Sequence, residues 1–264
     1  MDTSDQLYEH EATDWQRGLY EDVKETFRAP IVNWIFRTTM ANYPAFLRYA
    51  WGQVKPAFQT RRFGRVSVEY RDAILSPIEA EHGIRTYRRE DLDVAPAEYA
   101  ELRRQLETFD VVAPRLALLF ELVDRSLSGD PVGETPDRTR VGTEPLPAWL
   151  DRDRGAPPTM AAFDEVPPEL DDTVRSIRAF HGLEDGLPSI YRNLGQWPGY
   201  LRPMWDDVEP RLQSDAFTTG RENAAAIVES YVKSLPYVPQ LDPPSLRRQG
   251  LTDEAITDLA ALFR

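Results

Sequence analysis

His10, His82 and His181 are the only imidazoles in this 264-residue chain, and it contains no cysteine. Without Cys there is no thiolate nucleophile, zinc–thiolate site, iron–sulfur ligand or disulfide. His82 and His181 each precede a Gly, which points to turns. No His-x-x-x-His pair occurs, so no metal is expected. No Gly-x-Ser-x-Gly elbow accompanies the histidines, which argues against a serine triad. Neither Gly-x-Gly-x-x-Gly nor a Walker loop is present, so no nucleotide cofactor is expected, and the cofactor expectation is none.

Acid–base chemistry would therefore fall to carboxylates. Asp171 and Asp172 stand where a helix should begin and suit its N-terminal dipole. Asp206 and Asp207 lie beside Trp205 and read as a solvated helix face. Glu184 and Asp185 lie in the Gly-flanked segment His181-Gly-Leu-Glu-Asp-Gly186, which makes them the candidate general base. The aromatics Trp34, Phe36, Tyr43, Phe46 and Trp51 recur at helical spacing, as a packed core requires; the alternative is that some line a pocket.

The elements that must position these groups follow from an internal repeat. Asn42–Pro56 and Gln196–Pro210 match at a constant offset of 154 residues. Pro44/Pro198, Leu47/Leu201, Arg48/Arg202, Trp51/Trp205, Val54/Val208 and Pro56/Pro210 are identical. Upstream, Gly18–Lys24 parallels Glu169–Arg175 after a three-residue shift. Two copies imply a fused pseudo-dimer. Leu47, Trp51 and Val54 follow i, i+4, i+7 spacing on one helix face, with Pro44 in the first turn and Pro56 expected to end it. Further helices are expected over 17–28, 31–42, 66–79, 97–108 and 113–128. In the second copy they are expected over 169–180, 188–196, 199–209, 219–234 and 253–263. Thr252 is the expected N-cap of the last. No alternating strand is found. The expected class is all-α, with a first repeat over 1–128, a Pro/Gly-rich linker over 129–168 and a second repeat over 169–264 that lacks the last helix. The apolar island Leu146–Leu150 is expected to dock on a module.

The chain carries 31 basic and 44 acidic residues, a formal net charge of −13. That balance disfavours nucleic acid and anionic lipid as partners. Only Lys24, Lys55 and Lys233 are lysines. Abundant carboxylates with scarce Lys is the balance of a protein kept soluble at very high salt, where the Debye length is roughly 3 Å at 1 M; a halophile is the expected source. No apolar run approaches a membrane span and the N-terminus has no signal-peptide pattern, so the expected location is the cytoplasm. A homodimer is left open.

The paired segments Tyr43-Pro-Ala-Phe-Leu47 and Trp197-Pro-Gly-Tyr-Leu201 resemble the DehI-type haloacid dehalogenase family. So do the proline-rich linker, Phe109-Asp-Val-Val-Ala-Pro-Arg-Leu116 and the closing Leu251-Thr-Asp-Glu254. The resemblance spans nearly the whole chain. It implies an all-α pseudo-dimer around a buried site between its copies, and cofactor-independent hydrolysis of 2-haloacids, with an Asp general base activating a water that attacks C2. A small organic acid is the implied partner. Residue by residue, the family's Ser-Asp corresponds to Ser189-Ile190, its pocket Asn and Tyr to Ala113 and Leu116, and its aromatic pocket positions to Val32 and Ile35. Asn193 lies one turn beyond Ser189. Ser189, Ile190, Asn193, Ile35 and Leu116 are thus the implied substrate-binding set, and Ile190 stands where the family keeps its base. Two readings stay open: an enzyme with a relocated base such as Glu184 or Asp185, or a non-catalytic relative holding a small hydrophobic ligand. A peroxide-reducing helical protein of the AhpD type is excluded by the absence of Cys.

Overall fold

A computed structural model describes residues 1–2, 5–134, 155–160 and 167–264. Among them every regular element is helical: α1 (Asp14–Phe27), α2 (Trp34–Asn42), α3 (Pro44–Phe58), α4 (Arg61–His82), α5 (Pro96–Ser128), α6 (Asp171–His181), α7 (Ser189–Leu194), α8 (Pro198–Leu212), α9 (Asp215–Lys233), α10 (Pro243–Arg248) and α11 (Asp253–Phe263). The island Leu146–Leu150 lies outside the described residues.

Local chemistry sets most helix starts. Pro44 and Pro198 occupy first turns, where a missing N–H costs nothing. Thr252 Oγ1 accepts from the Ala255 N–H at 3.2 Å, so the N-cap read from sequence is realised. Asn33 Oδ1 caps α2 through Ile35 N, and Asp242 caps α10 through Ser245 N at 3.0 Å. The α10 helix was not foreseen, although Asp-Pro-Pro is a strong start signal.

Prolines interrupt less than expected. The α3 helix runs through Pro56 to Phe58, and α5 is a single 33-residue helix through Pro114 rather than two. Pro removes one ladder bond and crowds the carbonyl four residues earlier. Apolar burial on both sides outweighs that loss: Val111 and Val112 precede Pro114, Leu118 and Leu119 follow it, and all four are buried. The α4 helix likewise continues through Pro77 to His82.

Two compact units share the chain. Unit 1 comprises Met1–Arg71, Val111–Asp153 and Ala224–Arg264; unit 2 comprises Asp72–Asp110 and Arg154–Asn223. These are divisions by contact, whereas boundaries at 128 and 169 follow the sequence repeat. The unit 1 core gathers Phe27, Phe36, Trp51, Phe58 and Phe63, with Phe36 and Trp51 ring centroids 5.7 Å apart at 90°. The unit 2 core centres on Trp205, with Leu102, Leu170, Ile177 and Leu201.

Each unit contains one three-helix segment, α1–α3 in unit 1 and α6–α8 in unit 2. In each, the buried Trp N–H reaches back the same 29 residues. Trp51 Nε1 donates to Asp22 Oδ2 at 2.7 Å, and Trp205 Nε1 donates to Ser176 Oγ at 3.0 Å. Both first helices end on a left-handed residue, Arg28 at φ +52° and Gly182 at φ +64°. Asp22 to Ser176 and Arg28 to Gly182 both keep the 154-residue offset. The offset therefore holds through the first helix, and the three-residue shift read from sequence is corrected.

Helix α9 comes close to the α4 backbone at Gly220, where an added Cβ would lie 2.8 Å from the Ile74 carbonyl oxygen. Gly18, exposed on the outer face of α1, has nothing within 4 Å of an added Cβ. Gly18→Ala is expected to raise stability by about 0.5–1 kcal/mol through helix propensity. Gly220→Ala makes the same propensity change yet is expected to lower stability, because backbone must move to admit the methyl. Thermal unfolding of the two variants beside the wild type checks the opposite signs.

Asp22 supplies a second expectation. Burial pushes its carboxyl up, but hydrogen bonds from Lys55 Nζ and Trp51 outweigh that and hold it below the ordinary range. A depressed carboxyl contributes stability above its unfolded value of about 3.9, and loses it as pH falls through the folded value. Asp22 is about one-third exposed, at 35%, so the contribution is put at about 1 kcal/mol after screening. Asp22→Asn should cost that much near pH 6 and almost nothing near pH 2. Urea unfolding at both pH values measures it.

Candidate functional site

Five of the seven residues singled out from sequence fall in one short stretch of unit 2. Helix α6 ends at the left-handed Gly182, and the Leu183 N–H returns to the Arg178 carbonyl at 2.9 Å. Arg178 Nε then donates to the Gly186 carbonyl at 2.9 Å, closing the loop before α7. Glu184 and Asp185 lie on this loop, exposed to solvent. Leu187 is buried and Pro188 precedes the helix, so α7 starts at Ser189 with that residue exposed.

Ile190 turns the other way. Its side chain is partly buried and packs on the apolar core of unit 2. Tyr191 follows it in the same packing, with its ring 5.5 Å from Trp205 and its hydroxyl 3.2 Å from His181 Nε2. Burial lowers the His181 pKa and raises that of Tyr191.

Asn193 is fully buried. Its Nδ2 donates to Gln105 Oε1, and to the Thr159 carbonyl at 2.7 Å. Gln105, itself 1% exposed, also accepts from the Thr159 N–H at 2.9 Å. Gln196 Nε2 donates to the same Thr159 carbonyl at 2.9 Å. The segment Gly155–Met160 is thus strapped to unit 2 by amide side chains that pair with its backbone. Ala156 N donates to the Arg104 carbonyl and Thr108 Oγ1 to the Ala156 carbonyl. Asn193 Oδ1 is buried and meets no hydrogen-bond donor among the described residues. Such an acceptor costs about 1–3 kcal/mol unless a donor reaches it.

Ile35 and Leu116 belong to unit 1. Ile35 is fully buried beside Val32 in its core, and Leu116 packs partly buried against that core. Between Ala113 and Leu116, Arg115 is fully buried; its Nη1 donates to the Val111 carbonyl and its guanidinium lies 5.8 Å from the Phe63 ring centre. The structure therefore gathers Ser189, Ile190 and Asn193 on α7, with Glu184 and Asp185 just before it. Ile35 and Leu116 lie in the other unit's core.

Gln105, Thr159, Gln196 and Arg115 escaped sequence reasoning. A signal existed for two of them. Gln105 follows Leu102 by three residues and Arg115 precedes Leu119 by four, so each is a polar residue on an apolar helix face. Thr159 sits in a Pro-rich segment with no period to read. Among the described residues no group of three or more His, Asp or Glu could hold a metal ion, and no helix is long and apolar enough to cross a membrane.

Known proteins carry this architecture. A family model described as "Halocarboxylic acid dehydrogenase DehI" matches residues 30–166. An (R)-2-haloacid dehalogenase from Pseudomonas putida is 23% identical over an alignment covering 95% of this chain and 82% of that protein. An (R)-2-haloacid dehalogenase from Rhizobium sp. (strain NHG3) is 28% identical, over 78% of each chain. A configuration-inverting 2-haloacid dehalogenase from Pseudomonas sp. (strain 113) is also 28% identical, over 81% of this chain and 68% of that one. Among solved structures, a D-2-haloacid dehalogenase mutant superimposes with a TM-score of 0.81 at 22% identity, over 98% of this chain and 88% of the other. A D-2-haloacid dehalogenase in complex with L-LA gives a TM-score of 0.80 at 20% identity. These likenesses at low identity carry the all-helical fold. The family match covers more than half of the sequence, and the chain belongs to the DehI family of halocarboxylic acid proteins.

Proposed function

We propose that this chain is a dehalogenase-like protein that binds a small carboxylic acid of the 2-haloacid class without hydrolysing it. The substrate class comes from its relatives, which are named 2-haloacid dehalogenases. The loss of hydrolysis rests on Ile190. In the register set by Trp197-Pro198, this residue occupies the position of the family's general base. Hydrolytic removal of halide from C2 requires a group that takes a proton from the attacking water. An aliphatic side chain offers no lone pair, and this one packs on the apolar core of unit 2. Ser189 stays exposed at the start of α7 as a hydroxyl partner for the acid. No cofactor is needed for such binding.

A second reading has one observation in its favour. Glu184 and Asp185 are exposed on the loop that leads directly into α7. Either could serve as a relocated base in a working hydrolase.

Bromide release from (R)- and (S)-2-bromopropionate, followed at low and high chloride because of the lysine-poor acidic composition, separates the two. The wild type is expected to release no bromide above the uncatalysed rate, while 2-chloropropionate raises its melting temperature. Ile190→Asp is expected to restore measurable release. Enzyme-dependent release by the wild type would overturn the non-hydrolytic reading; its loss in Glu184→Gln or Asp185→Asn would establish the relocated base.

A further inference from the structure

Unit 1 contains a groove between the first turns of α4 and the end of α9. It has a volume of about 270 Å³ and is lined by Arg62, Arg65, Val66, Glu69, Ala226, Ile227, Ser230 and Tyr231. Clefts for drug-sized ligands run to roughly 300–1,000 Å³, so this one suits something smaller.

Its distinctive group is the half-buried Arg62. Nη1 makes a long 3.4 Å hydrogen bond to the Ser234 carbonyl, and the guanidinium lies 5.3 Å from the Tyr231 ring centre. Tyr231 is a rigid platform: it is 1% exposed, its hydroxyl donates to the Ala57 carbonyl at 2.7 Å, and it lies 3.0 Å from Thr60 Oγ1. Stacking and one carbonyl bond therefore orient the guanidinium before any ligand arrives. Among the described residues, Arg62 forms no ion pair. In a chain with 44 acidic and 31 basic residues, a positioned guanidinium without a carboxylate is notable.

The repeat shows that the fold does not require this arrangement. The residues 154 positions after Arg62 and Val66 are Ala216 and Gly220. Ala216 is buried, and at Gly220 the helices meet backbone to backbone against Ile74. In unit 1 a charged side chain and a valine replace that closed crossing, and a groove stands there.

The geometry points to a binding site for a small monocarboxylate in this groove, separate from α7. Arg62 would take the carboxylate through its planar N–H fork, which matches two oxygens better than it matches a spherical halide. Val66, Ala226 and Ile227 offer an apolar wall to a short alkyl chain, and Ser230 lies on the rim. Glu69 on the same groove disfavours a second negative charge on the ligand.

Propionate titrated calorimetrically into the full chain, at constant chloride, tests this. Binding to the wild type should weaken at least tenfold in Arg62→Gln and in Ala226→Trp, which fills the groove from an exposed position without touching the cation. Arg62→Lys should retain only part of the affinity. Circular dichroism on each variant confirms that the fold survives. Absence of propionate binding to the wild type, or binding unchanged in Arg62→Gln and Ala226→Trp, overturns the site. Equal competition by phosphate or sulfate overturns the monocarboxylate assignment. The Ile190 experiments report on α7 separately, because neither groove variant alters that helix.

Discussion

A tryptophan N–H buried against an apolar core must find an acceptor, and this requirement organises both units. Trp51 and Trp205 each lie almost fully inside, and each sends its indole N–H to a helix that begins the same segment. An indole left without a partner there would incur the desolvation cost of its N–H, about 1–3 kcal/mol. Satisfying it clamps the first helix of the segment to the third at a defined register. Everything that follows in each unit is aimed by that clamp: the turn before α2 or α7, the Pro-initiated helix, and the aromatic packing around the ring.

The two clamps differ in chemistry while agreeing in geometry. In unit 1 the acceptor is a carboxylate, and Lys55, one turn beyond Trp51, neutralises it at 2.7 Å. In unit 2 the acceptor is the Ser176 hydroxyl, which in turn donates a hydrogen bond to Glu209 at 2.7 Å. Lys55 and Glu209 stand 154 residues apart, as do Asp22 and Ser176. A carboxylate–lysine pair in one unit thus corresponds to a hydroxyl–carboxylate pair in the other, with the same 29-residue reach of the Trp N–H. The same freedom appears at the α4–α9 crossings, where Gly220 closes one and Val66 with Arg62 opens the other. A repeat keeps the positions that hold helices together and leaves the remaining positions free for chemistry.

Helix α7 shows how that freedom bears on function. It is only six residues long, so its propensity alone could not hold it in water. Ile190 and Leu194 anchor it to the unit 2 core, and Asn193 ties it to Gln105 and to the backbone of Gly155–Met160. Ser189 is left facing solvent on a fixed scaffold. The side chain at 190 belongs to the core and contributes packing.

The sequence by itself determined the helical class and several helix starts, and it displays the repeated segment. Each rests on local rules or on spacing along the chain: apolar residues at i, i+4 and i+7, Pro in first turns, Thr252 as a cap. It also places Ile190 seven residues before Trp197-Pro198. Only the tertiary structure decided that Pro114 leaves α5 unbroken, since burial on both flanks is a property of the packed units. Only it showed that Asn193 pairs with Gln105, 88 residues away, and that Arg62 rests on Tyr231, 169 residues away in sequence. Those partners share no period and no motif. A buried amide and a stacked guanidinium are recognised by what surrounds them, and surroundings are made by folding.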